Sequence, residues 1–485
     1  MTMSDRPNVL LITTDQQRYD TLGATTGESW HRTPHLDALA GEGVLFERSY
    51  VQNPVCMPSR ASLQTGRYPH QHGVDHMKRE IDDSPGLPPW ELTIMERLQE
   101  AGYRTGGTGK LHMMPPKGFH WERLTNGKGA RWREFEGSEL GRGPLGPTYA
   151  SWLEHKRPGA YEEIYEQRQE NAYRDYRTAI TNVLPVEEYI DTWVAEQAIE
   201  FLHDPHSDPF FLWCGFMSPH GPVDPPEPYD AIYDEDDVGM PNQRPDPTDP
   251  ASPKGAAEGW WGDDEALILR WRRHYYGLVA LIDELVGRLL ETLEDRGLME
   301  NTVVIFTSDH GEMAGDWNMM AKGNFYEEVL RVPTIVSPPD GGAIDSTDEL
   351  VEVADLAPTI LEYAGLDVPR QLPTRSLRPF LQGQTDSHGR DAIFSERYYE
   401  REETRHAACV RTDRYKYIHH KHDGERELYD LETDPHELTN LATDPDHRDI
   451  LNNHQKLLID RLLRGGDSYY RDESPDDRDI RSWLR

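Results

Sequence analysis

The chain is expected to fold as an α/β protein, with a large, mostly parallel mixed sheet sandwiched by helices and a smaller C-terminal domain of antiparallel sheet plus helix. Three observations predict this. Continuous apolar runs of strand length, "NVLLITTD" (8–15), "PFFLWCGF" (209–216) and "NTVVIFTS" (301–308), recur between segments of helical apolar spacing. Strands buried on both faces read as unbroken apolar runs, and their alternation with helices implies a parallel sheet. From about residue 386 the pattern changes to short aromatic and β-branched runs joined by polar turns, which reads as antiparallel strands.

The elements follow in order. After the first strand, "TPHLDALAGEGV" places Thr33 at an N-cap, Pro34 at the first helical position and glycine at the end. "VLFERSYV" reads as a strand, and "LTIMERLQEAGYRTGGTGK" as helix, glycine stop and strand. "EYIDTWVAEQAIEFLHD" is helical by apolar spacing and leads into the "PFFLWCGF" strand, and a long helix over 264–297 precedes "NTVVIFTS". In the last hundred residues "DAIFSERYYE", "HAACVRT", "YKYIHHK" and "ERELYDL" are the four short strands, and "HRDILNNHQKLLIDRLLRG" is a helix packed on them. This divides the chain into a catalytic domain, 1–385, and a C-terminal subdomain, 386–485. Residues 113–180, rich in Trp, Arg, Glu and Tyr, and 222–262, rich in Pro and Asp, are read as long loops over the site.

Composition narrows the function. The formal net charge is −36, from 87 acidic and 51 basic residues, which argues against nucleic acid as a partner. An anionic substrate then needs a local basic pocket inside an acidic shell. No apolar run reaches membrane-spanning length, so no membrane partner is expected. The N-terminus shows no basic n-region or cleavage site, giving a cytoplasmic expectation, or a periplasmic one if a leader was removed. Three widely spaced cysteines exclude a disulfide framework. Cys214 and Cys409 lie in apolar strands and read as core. Cys56 stands between turn formers in "NPVCMPSRASL", where a burial argument does not cover it.

Ligands of parallel sheets collect at the carboxyl ends of the strands. Asp15 and the pair Asp309–His310 both occupy that position. With "CMPSR" at 56–60, "ASLQTGRYPHQHG" after it and "TSDHGE" downstream, the chain resembles the formylglycine-dependent (type I) sulfatases of the alkaline phosphatase superfamily, over nearly its whole length. The resemblance implies a sulfuric ester hydrolase whose Cys56 is converted by a formylglycine-generating enzyme to a Cα-formylglycine. Its hydrate carries the sulfate on one hydroxyl and expels it with the other.

The resemblance further implies one divalent metal ion held by Asp15, Gln16, Cys56, Asp309 and His310. Calcium is the first choice, and manganese or zinc the alternatives that an imidazole favours. Many sulfatases have Asp-Asp and Asp-Asn where this chain has Asp15-Gln16 and Asp309-His310, a departure shared with phosphonate monoester hydrolases and choline-sulfatase-like relatives. Lys110 and Lys322 are assigned to the sulfate oxygens, Lys322 or His220 to protonation of the leaving oxygen, and His112 to the proton of the second hydroxyl. Arg60 is assigned to the diol and the metal-bound oxygen. Lys110 and His112, two apart on an extended strand end, are expected to point the same way. Glu312 and Asp316 are read as loop-fixing, and His70 and His72 as structural or at the mouth of the site.

The substrate expected is a small-molecule or oligosaccharide sulfate ester, with Trp121, Arg131, Trp132 and Arg133 suited equally to reading a carbohydrate and to packing a loop on the domain. The rival readings are a phosphonate monoester or phosphodiester hydrolase using the same aldehyde and metal, and an unmatured binding protein. Homo-oligomer formation is left open by the sequence.

Overall fold

The computed structural model describes residues 6–76, 86–88, 90–112, 118–124, 147–242, 264–384, 390–398, 406–421 and 424–464. Its larger sheet has nine strands: β1 (Asn8–Asp15), β2 (Val44–Tyr50), β3 (Arg104–Gly109), β4 (Trp121–Leu124), β5 (Phe210–Pro219), β6 (Thr302–Ser308), β7 (Arg331–Val332), β8 (Thr334–Ser337) and β9 (Ser346–Glu352). They run in the order β4-β3-β5-β1-β6-β8-β2-β7, with β9 paired to β2. The five strands from β4 to β6 are mutually parallel, and β8 turns antiparallel on β6. The sheet is therefore mixed, as the alternation of apolar runs predicts.

Both faces of the sheet are dry, which is why the central strands need no polar alternation. Along β1, Leu10 and Ile12 face one core, with helices Ile190–His203 and Glu265–Asp295. Val9 and Leu11 face the other, with helices Ile94–Glu100 and Leu356–Tyr363. Each fully buried Leu or Ile contributes on the order of 1.5–3 kcal/mol. Thr33 sits at the N-cap of helix Pro34–Glu42, but its hydroxyl donates to Asp37 instead of capping the helix. The first-turn amides of His35 and Leu36 are taken by the Asp283 carboxylate of the long helix.

The region 113–180 is not a plain loop. It contains β4 and the helices Pro147–Lys156, Ala160–Gln169 and Asn171–Asp175. Tyr149, Leu153, Ala160 and Ile164 bury one face of the first two of these helices on the main core. That face is narrow, and the Glu, Arg and Tyr residues around it mask its period. Helix Glu235–Val238 lies in the second stretch read as loop.

A separate four-stranded antiparallel sheet follows, β10 (Ala392–Tyr398), β11 (His406–Thr412), β12 (Tyr415–His420) and β13 (Arg426–Asp430), in sequence order. Its two faces alternate with period two. Phe394, Ala408, Val410, Tyr417 and Leu428 pack with Leu451 and Leu458 of helix Arg448–Arg464. Ile393, Ala407, Cys409, Ile418 and Tyr429 face the core of the larger sheet. Among the described residues no helix is long and apolar enough to cross a membrane.

Candidate active site

Four adjacent strands deliver the site. β3, β5, β1 and β6 are neighbours and parallel, so their carboxyl ends lie side by side. Thr14 is in register with Ser308, which sets Asp15 beside Asp309, and Asp15 is in register with Pro219, which brings His220 alongside. Lys110 follows β3, where Gly109 (φ 78°) turns the chain close over Gly215, and the Lys110 amide donates to the Gly215 carbonyl at 2.7 Å. A Cβ on Gly109 would stand 2.0 Å from that carbonyl oxygen, so only glycine fits. Cys56 comes from another direction, as the first residue of helix Cys56–Thr65, every residue of which is buried.

These elements converge on one cluster. Ligand atoms of Asp15, Cys56, Asp309 and His310 lie within 4.8 Å of one another, all buried. The Cys56 Sγ is 3.1 Å from His310 Nε2 and 3.8 Å from Asp15 Oδ1. Cations surround the carboxylates. Lys110 Nζ is 2.6 Å from Asp15 Oδ2, and Lys322 Nζ donates to Gln16 Oε1 at 2.5 Å and to Cys56 Sγ at 3.2 Å. Burial and Asp15 push the Cys56 thiol up, yet Lys322, His310 and Lys110 outweigh them and hold it below its ordinary value. Burial also opposes the Asp15 carboxylate, but Lys110, His220, Lys322 and Arg60 keep it well below the usual carboxylate range.

Two carboxylates, one imidazole and residue 56 converging in a buried pocket fit a divalent cation, since paired buried carboxylates are costly unless a cation shares them. The Cys56 sulfur stands where a matured residue would present oxygen. Gln16 adjoins the cluster in a left-handed conformation (φ 71°), with its amide NH donating to Asp309 Oδ1 at 3.0 Å. Such a conformation costs a non-glycine residue about 1–3 kcal/mol and persists only where neighbours fix it. Here Glu312 takes the Gln16 Nε2, so Oε1 is the atom turned toward Lys322.

The site departs from the sequence expectations at several points. His112 is also left-handed (φ 53°) and lies beyond the end of β3, so the extended-strand argument for its direction fails. It nevertheless reaches the site electrostatically: burial, Lys110 and Arg60 drive its pKa well below 6.5, and its Nδ1 has no hydrogen-bond partner in the structure. Arg60 grips carboxylates, because it is wholly buried and Asp309 and Asp15 are the acceptors its fork meets. His220 stands at the rim, 27% exposed, with Nε2 3.8 Å from Asp15 Oδ1, and burial followed by Lys322 and Lys110 lowers its pKa well below 6.5.

His70 bonds Glu396 at 2.6 Å and His72 bonds Ser62 at 3.1 Å, both structural contacts. Asp316 anchors the buried Arg18. Trp121 is half-buried, packed on Phe201 (5.4 Å) with the Arg123 guanidinium over its ring, which agrees with the packing alternative. Arg131, Trp132 and Arg133 lie outside the described residues.

Sequence reading missed Asp191. Its buried carboxylate accepts the amides of Met217 (2.6 Å) and Ser218 (3.3 Å), fixing the end of β5 just before His220. The signal was an acidic residue amid the apolar spacing of "YIDTWVAEQAI".

Both histidines being neutral at physiological pH has a measurable consequence. The acid limb of kcat/KM is expected well below about pH 6.5, the ordinary imidazole value, because a group with a lowered pKa keeps its base form as pH falls. A pH–rate profile of the metal-loaded enzyme checks this. An acid limb centred at or above the ordinary value would contradict it.

A strand-end carboxylate pair, a helix-borne residue 56 and two lysines aimed inward make a candidate metal site with cations beside it, an arrangement suited to hydrolysis of an anionic ester. The chain belongs to the Sulfatase family, which it matches over residues 7–366, and it also matches the N-sulphoglucosamine sulphohydrolase C-terminal family over 315–463. It is a sulfatase by that membership, as the 56–60 signature implied. It is 31% identical to an arylsulfatase of Clostridium perfringens, covering 96% of each chain. It is 26% identical to an N-acetylglucosamine-6-O-sulfatase of Bacteroides thetaiotaomicron, covering 98% of this chain and 88% of that one. Among solved structures, the phosphonate monoester hydrolase of Agrobacterium radiobacter superposes with a TM-score of 0.77 at 28% identity, over 95% of this chain and 96% of the other.

Proposed function

We propose that the protein hydrolyses sulfate esters of carbohydrates, using Cys56 matured to formylglycine and one divalent cation. The observation that carries this reading is the convergence of Asp15, Cys56, Asp309 and His310, with Lys110 and Lys322 beside them. Bound by Asp15, Asp309, His310 and residue 56, with Gln16 adjoining, the cation would neutralise charge and acidify the nucleophile. Calcium is the ion proposed, with manganese or zinc as the alternatives that His310 favours. The matured residue would supply a hydrate with one hydroxyl to take the sulfuryl group and one to release it.

The chain's own groups do the rest. Lys110 and Lys322 hold the sulfate oxygens. Burial opposes the Lys322 ammonium, but Cys56, Asp15 and Asp309 raise its pKa, so it stands charged beside residue 56, where it would bind the sulfate oxygens and meet the leaving oxygen. His220 at the rim is the other donor the sequence offered, but its lowered pKa leaves it neutral and favours Lys322 for the role. Neutral His112 accepts a proton from the residue at 56. Arg60 holds Asp15 and Asp309 in place. The proposed boundary between the two folding units lies at 385/386, and a formylglycine-generating enzyme is the partner in maturation.

Two measurements on protein co-expressed with that enzyme test the reading. Mass spectrometry of the peptide spanning residue 56 is expected to show aldehyde in place of thiol. A panel of sulfated sugars, aryl and choline sulfates, and phosphonate monoesters is then expected to give the highest kcat/KM on a sulfated sugar. The pair Gln16 and His310, with the likeness to the phosphonate monoester hydrolase, favours the second reading, and faster turnover of phosphonate esters would establish it instead. An intact thiol in an active preparation would overturn both.

A further inference from the structure

Beside the reacting centre lies a cavity of about 210 Å³ between the loop that carries Lys322 and the C-terminal sheet. It is smaller than the roughly 300–1,000 Å³ that holds a whole drug-sized ligand, so it suits one substituent. Its walls come from two parts of the chain: Lys322 and Asn324 on the loop, and Arg397, Ile418, His420 and Glu427 on the sheet.

Strand register orders the sheet side of the cavity. Arg397 pairs with Ala407, and Ala407 pairs with His420, so these three residues form one row across β10, β11 and β12. The short Ala407 side chain separates Arg397 from His420 in that row. In the next row on the same face, Cys409 pairs with Ile418 and Ile418 with Glu427, which closes the far wall.

The charge of the walls selects the ligand. Lys322 and Arg397 are both cations. The one acid among the described wall residues, Glu427, is already engaged: its Oε2 accepts Tyr326 at 3.0 Å and the Tyr429 hydroxyl, and its Oε1 is 2.7 Å from His420 Nε2. Glu427 therefore fixes the His420 ring and does not present an unshared negative face. Arg397 Nη1 donates to the carbonyl of Gly323, the residue after Lys322, so the guanidinium stands next to a group proposed to bind sulfate. In a chain of net charge −36, a cavity walled by two cations is a local exception.

We propose that this cavity is a leaving-group subsite that reads a second oxyanion, a carboxylate or another sulfate, on the alcohol being released, and that Arg397 is its specificity-determining residue. The proposal rests on the sulfatase reading above, because Lys322 must face the scissile ester for the cavity to face its leaving group. A planar guanidinium fork matches either oxyanion in a bidentate way, which a lysine at 397 could not reproduce.

The test uses matured, metal-loaded enzyme and three aryl sulfates: 4-nitrophenyl sulfate, its 3-carboxy derivative and its 3-sulfooxy derivative. The readout is the ratio of kcat/KM for each substrate with a second oxyanion to that for the parent, whose leaving group carries none, so partial loss of folded protein cancels. Arg397→Ala is expected to lower at least one ratio about 10- to 100-fold, the worth of a charge-assisted hydrogen bond, and Arg397→Lys to recover part of it. The ratio that falls further identifies the oxyanion. Equal loss on all three substrates, as expected of a residue that only anchors the Gly323 loop, overturns the proposal, and so do unchanged ratios. Failure of the wild-type enzyme on these three and on every sulfated sugar of the panel removes the carbohydrate-sulfate reading, an outcome distinct from a flat ratio in an active enzyme.

Discussion

Cys56→Ala is expected to reduce turnover on the order of 10⁴-fold or more, in line with removal of a nucleophile from a site that works as a unit. Residue 56 is 1% exposed and reached by Lys322, His310 and Asp15 at once, so the deletion removes the one group on which those contacts converge. Cys56→Ser is the sharper variant. It leaves an oxygen at the start of helix Cys56–Thr65 but only one hydroxyl, so sulfate can be accepted and not released. A single burst without turnover is expected, and the peptide spanning residue 56 should gain the mass of one sulfuryl group. Either variant retaining more than about a tenth of wild-type kcat would show that another group attacks, and the argument from residue 56 would fail.

Much of this site was legible because its parts lie at strand ends. A continuous apolar run announces a parallel strand, and the polar residues just beyond it are where such sheets bind ligands. Asp15, Asp309 and His310 were found that way, while Cys56, Lys110, His112, His220 and Lys322 came from the family resemblance. What sequence does not carry is burial and backbone handedness. Arg60 is on a helix whose every residue is buried, and nothing in "CMPSRASL" shows that its guanidinium is enclosed by two carboxylates.

His112 was placed by an extended period that a φ of 53° breaks. The helices from 147 to 175 were lost because their few apolar residues are scattered among charged ones, and the two readings of Trp121 stayed open because its packing partner, Phe201, is far away in sequence. The Arg397–Ala407–His420 row depends on register between three strands, which no single strand's pattern specifies.

Removal of Arg60 is expected to destabilise the fold by about 3–5 kcal/mol, because it leaves buried carboxylates without their shared cation. The guanidinium is wholly enclosed. Its Nε donates to Asp309 Oδ2 at 2.7 Å, its Nη2 to Asp15 Oδ2 at 3.2 Å and its Nη1 to the Lys110 carbonyl at 2.6 Å. Arg60→Met fills similar volume without charge and isolates this electrostatic role from packing. Lys110 and Lys322 remain, so Asp15 keeps partial compensation, while Asp309 loses its guanidinium partner.

A divalent cation bound to the same carboxylates should restore part of the loss, since a ligand that binds only the folded state stabilises it by mass action. Urea unfolding of wild type and Arg60→Met, each with chelator and with added metal, checks this. The variant is expected to be much the weaker under chelator and to gain more from metal than wild type does. Equal stability of the two proteins under chelator would show that Arg60 does not neutralise the pair, and an equal gain from metal would show that the cation does not share those carboxylates.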